Sequence, residues 1–280
     1  MKKLIYENHK GETLDLLNWP YMWQGENVFD YGWQYESMSN GKKGGIISGF
    51  YKDITEMDCQ LVICSKTEKE FKDAMNNFYK TVEKDVRATT PGRLITDDDQ
   101  YMICYFIQSE KTYWRKGIKT SMNGLILVTE KPFWCKDIKY SFSENQIIEI
   151  PDYEFLDYPY NYNFDLLFSN TKGAVINDEI GDAEFEMVIY GQTENPNIAI
   201  GKNRYKMNLT LEQNEYLIIN SRDKSIKRYK ANGQIINEFN SRDKEKSIFA
   251  PIPAGSSQVE SNAYFDLTVY QERSEPIWIL

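Results

Sequence analysis

Histidine is nearly missing from this 280-residue chain: His9 is the only one. A hydrolytic triad or a cysteine–histidine pair would rest on that single residue, and it sits in Asn8-His9-Lys10-Gly11, which reads as a turn. Cysteine is scarce too, with four residues. Cys59, Cys64, Cys104 and Cys135 form no C-x-x-C pair and lack the dense spacing of a secreted disulfide framework. Cys59 and Cys64 lie five apart on one apolar run, so on a strand they would face opposite sides, which argues against a zinc pair there. Phosphate-cradling glycine motifs are absent, and Gly41-Lys42-Lys43-Gly44-Gly45 is not followed by a helix start. No run approaches the ~20 apolar residues of a spanning helix, so membrane insertion is not expected. Glu7 and His9 interrupt the apolar stretch that a signal peptide needs, which predicts a chain that stays in the cytosol where it is made. Positive charge is in deficit: 33 Lys and Arg against 42 Asp and Glu give −9. That balance argues against a protein whose work is gripping phosphate backbones.

What is abundant is aromatic. The chain carries 20 Tyr, 14 Phe and 6 Trp, residues that favour strands and interfaces over helical bundles. Apolar residues at 41% and charged residues at 27% match a globular protein. At roughly 150 residues per domain the length predicts two compact domains. Residues 3–17 read as a hairpin, residues 37–45 as a long mobile loop, and Ile46–Tyr51 and Asp58–Cys64 as strands. One helix is predicted over 67–86, with Thr67 and Glu70 as a capping box and Phe71, Met75, Phe78 and Val82 on one face. Pro91-Gly92 ends that segment, and Tyr101–Ile107 and Gly124–Thr129 return to apolar β-rich runs. A single helix among many strands predicts a β-sandwich or barrel flanked by a helix.

The texture changes at 141–163, which places a domain boundary at 150/151, giving domains 1–150 and 151–280. Beyond it, short runs at Asp165–Phe168, Ala183–Tyr190, Tyr205–Leu211, Tyr216–Ile219, Ile235–Phe239 and Ala263–Tyr270 predict a second β-sandwich. The pentapeptide Asn-Ser-Arg-Asp-Lys recurs at 220–224 and 240–244, a repetition that two similar turns would explain.

Residual candidates for chemistry are few. Asp97-Asp98-Asp99 could meet a hard cation, but three consecutive acids do not converge as such sites require, so a solvated turn is the preferred reading. Asp152, Glu154 and Asp157, or Asp178, Glu179 and Asp182, could supply paired carboxylates, yet nothing places two of them across a cleft. No catalytic residue, metal ligand or cofactor is therefore assigned. Tyr158, Tyr160 and Tyr162 alternate along an extended stretch and would share one face of a strand. With Trp278 they are candidate interface residues, or alternatively a platform for cell-wall saccharide; the interface is preferred. Asn40, Gly41, Lys42, Lys43, Gly44 and Gly45 form a candidate assembly arm, ordering on a neighbouring subunit.

The order of several short motifs resembles the distal tail protein family of siphophages. In the first half these are the opening hairpin, Gly44-Gly-Ile-Ile-Ser-Gly-Phe-Tyr51, Thr90-Pro-Gly-Arg-Leu94 and Gly124-Leu-Ile-Leu-Val-Thr-Glu-Lys-Pro-Phe-Trp134. In the second half they are Phe168-Ser-Asn170, Ala183–Gly191, Asn195-Pro-Asn-Ile198, Glu215-Tyr-Leu-Ile-Ile-Asn220, Asn232-Gly233, Ile252-Pro-Ala-Gly255 and Glu275-Pro-Ile-Trp278. Asn220 departs from the acidic residue usual in that family. The resemblance implies an N-terminal tail-tube-like β-sandwich with one flanking α-helix and a C-terminal galectin-like β-sandwich. It implies a homo-hexameric hub ring around the DNA channel, placed in the virion at the distal tail after assembly in the bacterial cytoplasm. Its implied partners are the tail-tube protein, the tail-tip or tail-associated protein and, in some phages, a receptor-binding protein, with no enzymatic activity. DNA would pass through without specific binding, and a charge of −9 per copy fits that passage by removing phosphate neutralisation.

Overall fold

Alternation of apolar and polar side chains sets most of the chain into strands. The computed structural model describes residues 2–25, 27–39, 41, 44–112, 117–142 and 173–277, and among them the fold is mainly β with a single long helix. The chain divides into two units, Met1–Lys136 with Glu272–Leu280, and Asp137–Gln271. Where the sequence predicts one crossing at 150/151, the division falls at 136/137 and again at 271/272. The second division lies within the strand Phe265–Arg273, whose alternation of buried and half-buried residues runs to Gln271. A linear change of composition cannot register such a return.

In the first unit the opening hairpin forms as predicted, Leu4–Glu7 pairing with Thr13–Asp15. Asn8 closes its turn by accepting from the Lys10 and Glu12 backbone N–H groups at 3.0 and 2.9 Å. Leu4–Glu7 also pairs with Gly92–Thr96, which pairs with the start of Tyr101–Thr112. That long strand then changes partner: from Tyr105 onward it runs against Thr120–Thr129, with a register shift between Phe106 and Gln108. Thr120–Thr129 pairs in turn with Thr55–Cys64, and Thr55–Cys64 with Tyr21–Trp23. A bulge of this kind bends a strand and increases its twist, letting one strand serve two sheet segments.

The helix spans Glu68–Ala88 and begins as predicted, with the full Thr67/Glu70 capping box. It stops where Thr89 takes a left-handed conformation ahead of Pro91. Its buried stripe is Phe71, Ala74, Phe78, Thr81, Val82 and Asp85; Met75, expected on that face, packs only at its margin. Phe78 and Tyr6 both meet Phe106, at ring-centroid distances of 5.9 and 5.0 Å, and the Tyr21 hydroxyl donates to the Ala74 carbonyl at 2.9 Å.

Asp85 has no exposed surface and ties the end of the helix to the opening hairpin. Its carboxylate accepts from the Tyr6 hydroxyl at 2.5 Å and from the His9 backbone N–H at 2.9 Å, and His9 Nδ1 lies 2.5 Å from it. Burial, reinforced by Cys104 and by the hydrogen bond to Asp85, pushes the Tyr6 hydroxyl pKa up, so it remains a donor. The lone histidine does belong to a turn, but the turn is anchored to a buried acid. Gly92 completes the junction, since a Cβ there would stand 2.5 Å from Asp85 Oδ2 and 2.6 Å from the Tyr6 hydroxyl.

The second unit sets two sheets face to face. One runs in the order Ile235–Asn237, Ser225–Tyr229, Tyr216–Asn220, Glu184–Tyr190, Phe265–Arg273. The other runs Ala174–Asn177, Gly255–Ser261, Asn197–Ile200, Asn203–Lys206. Phe185, Met187, Ile189, Leu217, Ile219 and Leu267 point inward from the first sheet to meet Val175, Ile198, Ile200 and Tyr205 from the second. The repeated pentapeptide has two structures. Asn220–Lys224 is the turn between two strands, with Asn220 Oδ1 accepting from the Arg222 N–H at 2.9 Å. The copy at 240–244 instead starts inside the 3-10 helix Phe239–Ser241, and its Asp243 pairs with Lys206.

Gly92→Ala is expected to lower stability by about 1–3 kcal/mol, by disturbing the buried hydrogen bonds to Asp85. Urea denaturation checks this; an unchanged midpoint would show that the junction relaxes freely.

Candidate assembly surface

Asp97, Asp98 and Asp99 are each held by a separate partner. Asp97 accepts from the Lys2 backbone N–H at 2.9 Å, Asp98 meets Lys136 Nζ at 2.5 Å, and Asp99 meets Lys3 Nζ at 2.6 Å. The run is a surface turn whose acids point to separate partners, as the spacing predicts. Among the described residues no three of His, Cys, Asp and Glu are grouped to hold a metal ion. Of the cysteines, Cys59 and Cys104 are buried thiols. Burial pushes the Cys59 thiol up to about 12 and raises Cys104 as well, so neither is a ready nucleophile. An open groove of about 840 Å³ in the first unit is lined by residues including Trp23, Gln24, Asp58, Gln60 and Glu110. The lining also includes Cys59, whose thiol is the one burial pushes up, and Glu110 accepts from the Gln108 amide at 2.8 Å.

The prominent feature is a hairpin. Gln34–Ser39 and Gly45–Tyr51 pair antiparallel as a two-stranded sheet of their own. The sequence predicts a loop over 37–45, but Ser37, Met38 and Ser39 are strand, and so is Gly45. Small polar residues hid this strand, because its apolar neighbours find no core to alternate against. Gly41 and Gly44 take φ of +83° and +96°, which suits glycine in a tight connection. Gly45 is required for another reason: a Cβ would lie 2.9 Å from the Met38 carbonyl oxygen.

Every residue of the two hairpin strands is exposed except Gly49, which is half-buried. Tyr35, Met38, Ile46, Ile47, Phe50 and Tyr51 are between 42% and 66% exposed. Exposed apolar side chains scattered singly are ordinary, whereas six on one short ribbon are not.

The base of the hairpin is held at one point. Lys52, just after the second strand, donates from Nζ to the Pro132 carbonyl at 2.9 Å. The same ammonium lies 4.2, 5.1 and 5.5 Å from the ring centroids of Phe133, Trp33 and Tyr31. Tyr31 and Trp33 lead into the first strand, so both feet of the hairpin share this cation–π contact. Burial draws the Lys52 pKa down from its ordinary value, a penalty that the ring faces and the carbonyl offset. Pro132-Phe133-Trp134 is legible in the sequence as a distinctive triplet; its role as the seat for Lys52 spans 80 positions and is not.

Of the candidate arm, Gly41, Gly44 and Gly45 lie in or beside the hairpin connection, whereas Asn40, Lys42 and Lys43 lie outside the described residues. Tyr158, Tyr160, Tyr162 and Trp278 also lie outside them, as do Asp152, Glu154 and Asp157. Asp178, Glu179 and Asp182 fall in a turn of the second unit, where Asp182 accepts from the Ala254 N–H at 3.2 Å.

No protein-family model and no curated protein matches the chain. Solved structures do match. Dit of phage SPP1, described as a paradigm of hub adsorption apparatus in Gram-positive infecting phages, aligns with a TM-score of 0.61 at 10% identity, over 97% of this chain and 98% of that one. The phage P2 baseplate in its activated conformation with Ca aligns at 0.57 and 16% identity, over 98% of each chain. The same baseplate with Sr aligns at 0.55 and 17%, over 98% of this chain and 99% of the other. The chain therefore has the fold of these phage hub and baseplate components along nearly its whole length.

Lys52→Met is expected to leave the subunit folded while hydrogen exchange in residues 34–51 accelerates; the lost contact is worth about 0.5–2 kcal/mol. Lys52→Arg should restore slow exchange, because a guanidinium also stacks on aromatic faces. Equal exchange in all three proteins would show that Lys52 does not hold the hairpin.

Proposed function

We propose that this chain is a structural component of a phage tail, a distal tail hub that assembles as a six-membered ring and makes or breaks no covalent bonds. The observation that carries the reading is the exposed apolar hairpin, set on a fold shared end to end with phage hub and baseplate components. A closed ring is built from heterologous contacts, in which one surface of a subunit meets a different surface of the next. A hairpin standing free of its own core is suited to be one of those surfaces.

In this reading the N-terminal half, within residues 1–150, forms the ring, and the C-terminal half is a galectin-like sandwich turned to other tail components. The ring would sit in the virion between the tail tube and the tail-tip or baseplate proteins, receptor-binding proteins among them. DNA would cross its channel without specific binding, a passage favoured by a net charge of −9 per copy. The buried Cys59 thiol and the separately paired Asp97, Asp98 and Asp99 support a role without catalysis.

Negative-stain microscopy and light scattering of the purified chain, alone and with its tail-tube protein, test the proposal. The expected particle is a ring of six copies with a central hole. A monomer under both conditions would overturn it.

A further inference from the structure

One row of side chains crosses a whole sheet of the second unit. Cross-strand partners share a face, and the register sets Ile235 opposite Tyr229, Tyr229 opposite Tyr216 and Tyr216 opposite Tyr190. Tyr264 completes the row, its carbonyl accepting from the Tyr190 N–H at 3.0 Å. Ile189, Leu217 and Phe265, the sequence neighbours of Tyr190, Tyr216 and Tyr264, are buried between the two sheets, so the tyrosines stand on the outer face. Tyr216 and Tyr229 stack with ring centroids 4.7 Å apart and 6° between planes, and Tyr190 and Tyr264 at 5.0 Å and 29°. Rings stacked in this way hold one another's rotamers, so little ordering is left to oppose binding. The Tyr190 hydroxyl also donates to Asp266 at 2.7 Å, and Ser141 donates to the same carboxylate. Among the described residues the Tyr216 and Tyr229 hydroxyls make no hydrogen bond.

Shape and charge identify the occupant. Four inter-strand steps of about 4.8 Å make the row about 19 Å long and one side chain wide. Such a strip is a small fraction of the roughly 800 Å² that each side of a stable protein interface buries, and it fits a linear chain. No residue of the row is charged, yet its phenol hydroxyls both donate and accept. The backbone beneath is engaged in ladder pairing, so rings and hydroxyls are what a ligand meets. Over 137–271, 13 Lys and Arg against 21 Asp and Glu give −8, which disfavours a phosphate-bearing polymer. We infer that the row Tyr264, Tyr190, Tyr216 and Tyr229 binds an uncharged linear oligosaccharide, whose hydroxyls exchange hydrogen bonds with the phenols while its C–H surface packs against the rings. The inference goes beyond the hub reading and does not depend on ring formation.

Isothermal titration calorimetry on the full chain tests it, with cellotetraose, maltotetraose and tetra-N-acetylchitotetraose as saccharide probes and decaproline as an extended peptide. At least one saccharide is expected to bind saturably. Tyr216→Phe and Tyr229→Phe keep the ring stack and remove only a hydroxyl, and each should melt with the parent. Each is expected to weaken saccharide binding about threefold or more, and the two together about tenfold. Tyr79→Phe, at an exposed tyrosine on the helix of the first unit, should bind as the parent does. Undiminished binding by the double variant would place the saccharide elsewhere and overturn the inference. Saturation by decaproline with no saccharide bound would overturn it in favour of a peptide, and the absence of binding by every probe would remove the site. A chain that stays monomeric would end the ring reading and leave this inference standing, because the titration reads the row in any oligomer.

Discussion

The hairpin Gln34–Tyr51 keeps six large apolar side chains in water with no core of its own to bury them. A two-stranded ribbon is marginal in isolation, and three or more strands or a covering layer are ordinarily needed. Here the strands are joined through a glycine-bearing connection, and the hairpin is fastened at its base by Lys52 among Phe133, Trp33 and Tyr31. Fixing the base limits the directions the ribbon can take, so less ordering remains for association to oppose. The proposed function follows from that arrangement: an apolar element held away from its own subunit is stable in an assembly that covers it.

The rest of the first unit gives this element a firm footing. The helix Glu68–Ala88 packs on a sheet whose long strand Tyr101–Thr112 changes partner halfway, and Asp85 joins the helix end to the opening hairpin through Tyr6 and His9. An uncompensated carboxylate in that position would be costly. The only histidine of the chain is thus committed to structure, and Asp97, Asp98 and Asp99 are committed to lysines and backbone.

Local physics made much of this legible. The Thr67/Glu70 cap and the spacing of Phe71, Phe78 and Val82 located the helix to within two residues at its far end, because capping and periodicity are properties of neighbours in sequence. The alternation in 184–190 and 265–270 located the inner strands of the second unit for the same reason. What escaped the sequence is long-range or has no core partner. Ser37-Met38-Ser39 reads as loop because its pairing is with an equally exposed strand. The seat of Lys52 joins three separate segments, and the return of the chain at 271/272 depends on which unit Glu272 onward packs with. The glycine-bearing segment was legible as a break between strands, and the pairing across it was not.

The most direct measurement replaces residues 35–50 with a short Gly-Ser turn and follows the oligomeric state of the product by sedimentation equilibrium. The account expects a folded subunit that melts with the parent and remains monomeric at concentrations where the parent forms rings. A ring that persists without the hairpin would contradict it.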